Sequence, residues 1–135
     1  EAAPPARRAL LAGLLSLPFA PLSAQAAPGK VVVLGGSGFI GSRICEALVA
    51  QGAPVVSVSR SGSPPEGAGA WAQKVTWKKA DVLAPGLAQE LSGAEAVVSA
   101  IGSLGSVDDE TNNGATNEAA VAAAKAANAK RFVLV

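Results

Sequence analysis

"VVVLGGSGFIGSRI", residues 31–44, is the stretch on which the fold turns. An apolar run ends at a cluster of four glycines, Gly35, Gly36, Gly38 and Gly41, and apolar residues then resume at helical spacing. A block of β-branched residues without polar alternation suits a strand buried on both faces, and 30–34 reads as one. Beyond the glycines, Ile40, Ile44 and Leu48 recur one turn apart and predict the packed stripe of a helix, which Gly52 ends.

Strand, glycine turn and helix in that order make a cradle for a diphosphate. The spacing G-x-x-G-x-x-G falls on Gly35, Gly38 and Gly41. The first glycine takes the tight turn, the second leaves room for a pyrophosphate against bare backbone, and the third lets the helix press on the strand. The helix N-terminus then aims unpaired N–H groups and partial positive charge at the phosphates. Ser37, Phe39 and Ile40 add backbone donors, and Gly36 completes the loop. Glycines alone would also fit a tight turn with no ligand. The strand before, the helix after and the units downstream favour a bound nucleotide.

Those units repeat the alternation. Strands are expected at 53–60, 74–82, 95–102 and 131–135, with a turn-rich loop at 61–70, a short helix at 86–94 and a helix of small residues at 119–129. The pattern predicts an α/β fold, a doubly wound parallel sheet of the Rossmann type with strand order 3-2-1-4-5. The third strand would be the edge, guarded by Lys74, Lys78 and Lys79.

In such a sheet the end of the second strand selects the cofactor. An acid there would hold the ribose hydroxyls of NAD. This chain has Ser59, Arg60 and Ser61 instead. A guanidinium fork suits a phosphate, so NADP is the expected cofactor, with NAD the alternative and a merely solvated Arg60 the plainer reading. Asp81 and Val82, at the exit of the third strand, are expected near the adenine, Asp81 accepting from its amino group. Ser99, Ala100, Ile101 and Gly102 leave the fourth strand as small or apolar residues, which suits a flat ring passing close by.

Composition narrows the field. The 135 residues hold eleven Lys and Arg against ten Asp and Glu, no His, no Tyr and one Cys. That excludes an internal disulfide and a multi-cysteine zinc site, and no basic stripe with interleaved aromatics points to nucleic acid. Asp108, Asp109 and Glu110 read as decoration of a loop and a helix N-terminus rather than as a metal site. Cys45 falls among Ile40, Ile44, Leu48 and Val49 and is expected to be a buried thiol.

Residues 1–29 differ in style. Arg7 and Arg8 precede an apolar stretch and then Ala24-Gln25-Ala26, the layout of a targeting leader. The arginine pair is similar to a twin-arginine export signal, an organelle transit peptide is the second reading, and a hydrophobic surface helix the third. The apolar stretch is short of the roughly 20 residues needed to cross a bilayer. Glu1 at the start and an apolar run cut at Val135 read as a fragment of a longer product. The Rossmann unit is therefore expected at 30–135, incomplete after its fifth strand.

With these pieces placed, "VVVLGGSGFIGSRICEAL", "SVSRSG", "ADV", "AVVSAIG" and "NGATNEAAVAAAKAANAKRFVLV" together resemble the N-terminal half of the atypical, extended-type short-chain dehydrogenase/reductases. The resemblance is greatest to plastid NAD(P)-binding proteins associated with plastoglobules. Those are similar in turn to a protein of coenzyme Q biosynthesis and to an accessory subunit of respiratory NADH dehydrogenase. It implies nucleotide contacts at Gly35, Gly38 and Gly41, cofactor choice at Ser59 and Arg60, an adenine contact at Asp81 and Val82, and a family asparagine at Asn113. It also implies a plastid location (stroma, plastoglobule or thylakoid lumen), with the mitochondrion as alternative, and association with a membrane or lipid particle. Active members carry a Ser near the exit of the fifth strand and a Tyr-x-x-x-Lys pair beyond it. Residues 1–135 contain no Tyr, so no catalytic residue is assigned here. Two functions follow: an NADP-dependent reductase of a quinone- or lipid-like substrate, or a non-catalytic nucleotide-binding module in assembly or quinone metabolism.

Overall fold

The computed structural model describes residues 28–103 and 110–135. Residues 1–27 of the expected leader, together with Asp108 and Asp109, lie outside the described residues. Strand β1 spans Val31–Leu34, and helix α1 spans Phe39–Ala50. Strand β2 (Val55–Ser59) leads through a 3-10 turn (Ala70–Lys74) into β3 (Val75–Lys79). Short helix α2 (Leu87–Glu90), strand β4 (Ala96–Ser99), helix α3 (Thr116–Ala126) and strand β5 (Arg131–Leu134) complete the order. A π-helical turn over Thr111–Ala115 runs into α3.

The five strands form one parallel sheet ordered β3-β2-β1-β4-β5, as expected. β1 lies at the centre, and its Val32, Val33 and Leu34 are wholly buried. In register, Leu34 pairs with Val58 on one side and Ser99 on the other. Alternation along the strands divides the core. Val33, Val55 and Val75 meet α1 through Cys45, Ile44, Leu48 and Val49, together with Trp71 and Trp77. The opposite face carries Val32, Leu34, Val58 and Val97 under Leu87 and Leu91 and under Ala120 and Ala124 of α3. Alanines let α3 lie close to the sheet, where larger side chains would hold it off.

Trp77 donates from its indole N–H to the Ala72 carbonyl (2.9 Å), and its ring packs on Trp71 with centroids 6.1 Å apart. This closes the α1 side beside the edge strand. Lys78, on the other face, pairs with Glu90 at 2.9 Å. Lys74 falls in the 3-10 turn rather than in the strand.

Both long helices end in the same way. After α1, Gly52 takes φ +79°, its N–H donates to Val49, and Ala53 donates to Leu48. After α3, Asn128 takes φ 57°, its N–H donates to Lys125, and Ala129 donates to Ala124. These are Schellman closures, with asparagine standing in for glycine in the second.

The sequence stripe needs one correction. Ile40 is 52% exposed, and the buried face of α1 runs instead through Gly41 and Cys45. The first turn of α1 starts beyond the end of the sheet, so Ile40 has no strand to pack on. Among the described residues no helix is long and apolar enough to cross a membrane, and no group of acids, His and Cys is placed to hold a metal ion.

Candidate functional site

All five strands point their C-terminal ends to one side, and a cleft of about 720 Å³ opens there. Its floor is the turn after β1. Gly35 sits at φ +80°, a conformation that disfavours any side chain, and its N–H donates to Val58. A Cβ at Gly41 would lie 2.1 Å from the Gly35 carbonyl oxygen, so α1 packs directly on the turn. A Cβ at Gly36 would lie 2.2 Å from Ser57 Oγ and 3.0 Å from Cys45 Sγ. Gly38 differs from both. A Cβ there would meet only the Gly35 carbonyl oxygen, at 3.3 Å. Bare main chain therefore faces the cleft at Gly38, next to the first-turn N–H groups of α1, which have no intrahelical acceptor. This is the shape and donor set a pyrophosphate requires.

One wall comes from β2 and the loop after it. Ser37 of the glycine turn lies 2.8 Å from Ser59, oxygen to oxygen, and Ser61 donates to Ser37 at 3.2 Å. Ser59 and Ser61 are 3.3 Å apart. Ser37 also donates to the Ser63 carbonyl, and Ser59 Oγ accepts from the Gly62 N–H. Three hydroxyls thus meet beside Arg60, which has no ion-pair partner among the described residues. Each hydroxyl proton has an acceptor, and Ser61 also accepts from the Ser63 N–H. The protons of Ser59 and Ser61 are spent on neighbouring hydroxyls, so those two could turn to the oxygens of an incoming anion.

Next to this wall, Ala80, Asp81, Val82 and Leu83 line the cleft past β3. Asp81 Oδ1 accepts from the Leu83 N–H (2.9 Å), an Asx turn that buries Val82 and leaves Leu83 52% exposed.

The far wall is Ala100, Ile101 and Gly102 after β4. Asparagines hold it. Buried Ser99 donates to Asn117 Oδ1, while Asn117 Nδ2 donates to the carbonyls of Ile101 (3.3 Å) and Asn113 (3.0 Å). Asn113 brackets the Ser103 peptides, accepting from Ser103 N (3.1 Å) and donating to Ser103 O (2.9 Å). The start of α3 and the loop after β4 are thereby locked together.

Of the residues singled out in the sequence, Gly35, Ser37, Gly38, Ser59, Arg60, Ser61, Asp81, Val82, Ala100, Ile101 and Gly102 gather around this cleft. Gly36 and Gly41 lie buried beneath it, shaping the turn. Ser99 is fully buried and committed to Asn117, so it supports the wall without reaching the surface. Phe39 is 76% exposed and faces an adjoining groove with Arg43, whose guanidinium stands 4.6 Å from its ring centre. Ala80, Leu83 and Thr116 line the cleft unforeseen. The Asp followed by a free N–H two residues on signalled the turn that presents Leu83; nothing in the local pattern signalled Thr116.

Cys45, on the buried face of α1, has its thiol pushed up to about 11 by burial, with its backbone hydrogen bond opposing. It stays protonated and inert at neutral pH.

A family of NAD(P)H-binding proteins matches residues 35–135. The chain belongs to that family. It is 47% identical over 107 residues to an uncharacterized chloroplastic protein of Arabidopsis thaliana, covering 78% of this chain and 36% of that one. It is 44% identical over 80 residues to MIOREX complex component 2 of Saccharomyces cerevisiae, covering 56% and 29%. The chain thus spans about a third of the length of these relatives. Among solved structures, the UDP-N-acetylglucosamine 4-epimerase of Methanobrevibacter ruminantium superposes with a TM-score of 0.65 at 26% identity, over 79% of this chain and 37% of its own. The UDP-glucose 4-epimerase of Stenotrophomonas maltophila, which holds NAD, gives 0.65 at 24%, over 78% and 36%. The NAD(P)-binding Rossmann unit is thus established, with epimerases of the short-chain dehydrogenase type as structural neighbours.

Proposed function

We propose that this unit binds NADP in preference to NAD and serves an oxidoreductase of the short-chain dehydrogenase type acting on a quinone- or lipid-like substrate. The observation that carries the cofactor choice is the cluster of Ser37, Ser59 and Ser61 hydroxyls beside Arg60, with no acid at the end of β2. A 2′-phosphate offers acceptors to that cluster, whereas a ribose hydroxyl would want the missing carboxylate. Gly35 and Gly38 would receive the pyrophosphate, Asp81 and Val82 the adenine, and Ala100, Ile101 and Gly102 the nicotinamide side. The cofactor supplies hydride chemistry; these residues bind it, orient it and shield one wall from water.

The substrate class rests on the resemblance to plastoglobule and quinone-pathway proteins. A plastid location, with the mitochondrion as alternative, draws support from the chloroplastic Arabidopsis relative and from the yeast relative.

A second reading has its own support. The yeast relative is named as a component of a complex. On that reading the nucleotide is a structural element of a non-catalytic module.

Calorimetric titration of the intact protein with NADP and NAD tests the first reading. Tighter binding of NADP is expected. Equal or tighter binding of NAD overturns the preference, and binding of neither overturns the nucleotide site. NADPH turnover with a short-chain quinone separates the enzyme from the structural module.

A further inference from the structure

Lys79 belongs to the edge strand, where its plain role is to deter strand pairing. Its surroundings give it a second one. In the β2–β3 register Lys79 is the direct partner of Ser59, and Ala80 N–H donates to the Ser59 carbonyl at 3.0 Å. In-register parallel partners share a face, so Lys79 and Ser59 stand on the α1 side along with Ser57 and Trp77. The loop carrying Ser61 and Ser63 folds down on this lysine. Gly62 takes φ +65°, and a Cβ there would lie 2.5 Å from Lys79 Cβ and 2.8 Å from its Cα and N.

The adjacent lysine serves as contrast. Lys78 points to the other face and is neutralised by Glu90. Lys79 is exposed and has no ion-pair partner among the described residues, and the same holds for Arg60. The nearby acids form no ion pair with either cation among the described residues: Asp81 lines the cleft with one carboxylate oxygen held by the Leu83 N–H, and Glu66 lines the adjoining groove. Two cations without an ion-pair partner among the described residues therefore stand near three hydroxyls, two of which donate only to one another or to Ser37 and can be redirected.

Resting on the NADP reading above, we propose that Lys79 is a specificity-determining residue, the second cation of a phosphomonoester site formed with Arg60, Ser37, Ser59 and Ser61. Arg60 lines the cleft; Lys79 is not among the lining residues and would reach it by swinging its flexible four-carbon stem from the β3 side. A dianionic phosphate is matched in charge by the pair, where Arg60 alone would leave it half-neutralised.

The test is calorimetry on the intact protein carrying wild-type, Lys79→Gln, Lys79→Arg or Arg60→Gln sequence, titrated with NADP, NAD and 2′-AMP. Lys79→Gln keeps the Cβ on which Gly62 packs. It is expected to weaken NADP and 2′-AMP about five- to tenfold, leave NAD unchanged and flatten the salt dependence of NADP binding. Lys79→Arg is expected to retain NADP affinity. Unchanged NADP binding in Lys79→Gln, with a wild-type preference for NADP, overturns the role of Lys79 while leaving the NADP reading intact. Equal losses for NADP and NAD make the lysine structural and overturn it too. A wild type without NADP preference removes the parent reading and this one with it.

Discussion

Gly41 and Gly35 are in contact through bare backbone: a Cβ at Gly41 would lie 2.1 Å from the Gly35 carbonyl oxygen. Gly38, between them, has its nearest such neighbour at 3.3 Å and faces open cleft. The three glycines of one motif therefore answer to different demands. Gly41→Ala is expected to destabilise the domain by several kcal/mol, of the order of 3 or more, because backbone must move. Gly38→Ala is expected to fold with a Tm within a few degrees of wild type and to lose most nucleotide affinity. Thermal unfolding and cofactor titration of the two variants separate these effects; equal unfolding of both would refute the distinction.

On the proposed NADP reading, Arg60 sets the cofactor preference. Arg60→Ala is expected to weaken NADP about ten- to a hundredfold and leave NAD within twofold. Equal losses for both cofactors in the same titration would sink the assignment.

Ser57 is fully buried, and its hydroxyl has no hydrogen-bond partner among the described residues. Its place in β2 sets it against Gly36. An unpaired buried hydroxyl costs about 1–3 kcal/mol. Ser57→Ala is expected to raise stability by about 1 kcal/mol in urea unfolding, some of the gain being offset by the small void left behind. A loss of stability would mean the hydroxyl has a partner.

Asn117 satisfies buried Ser99 and two carbonyls at once. Asn117→Ala is expected to cost about 1–3 kcal/mol, since Ser99 is left orphaned in the core. Hydrogen exchange is expected to quicken at residues 100–103 ahead of β1. Uniform acceleration across the sheet would argue against a local clamp.

The Cys45 thiol is raised from 9.0 to about 11 by burial. The folded state thus favours the neutral thiol. Its contribution is fully present below the unfolded pKa and is lost as pH rises from about 9 through about 11. A thiol-reactive dye at pH 8 is expected to leave the native protein unlabelled and to label it fully in urea. Rapid native labelling would contradict the burial.

Much of this was legible in the residues. Apolar blocks marked four of the five strands, because a strand buried on both faces leaves no polar alternation, and their alternation with helical stretches behind a glycine turn pointed to the doubly wound sheet and so to its strand order. The glycine turn, Arg60 and Asp81 were legible because their neighbours in sequence are also their neighbours in space. Ile40 was misplaced because a helical period says which residues share a face, and says nothing about where the sheet stops. Ser99 read as one of the cofactor-facing residues at the exit of the fourth strand, since its partner Asn117 lies 18 positions on. Lys79 read as an edge guard until the register set it beside Ser59.

The ladder also acts as a yardstick. The loops that wall the cleft leave from β3, β2, β1 and β4, which are consecutive neighbours. Their exits are separated by three inter-strand spacings, roughly 14 Å in all. Any molecule touching Asp81 at one end and Ile101 at the other must bridge that interval, so hydrogen-bonded pairing in the sheet sets the minimum length of a ligand that reaches both walls.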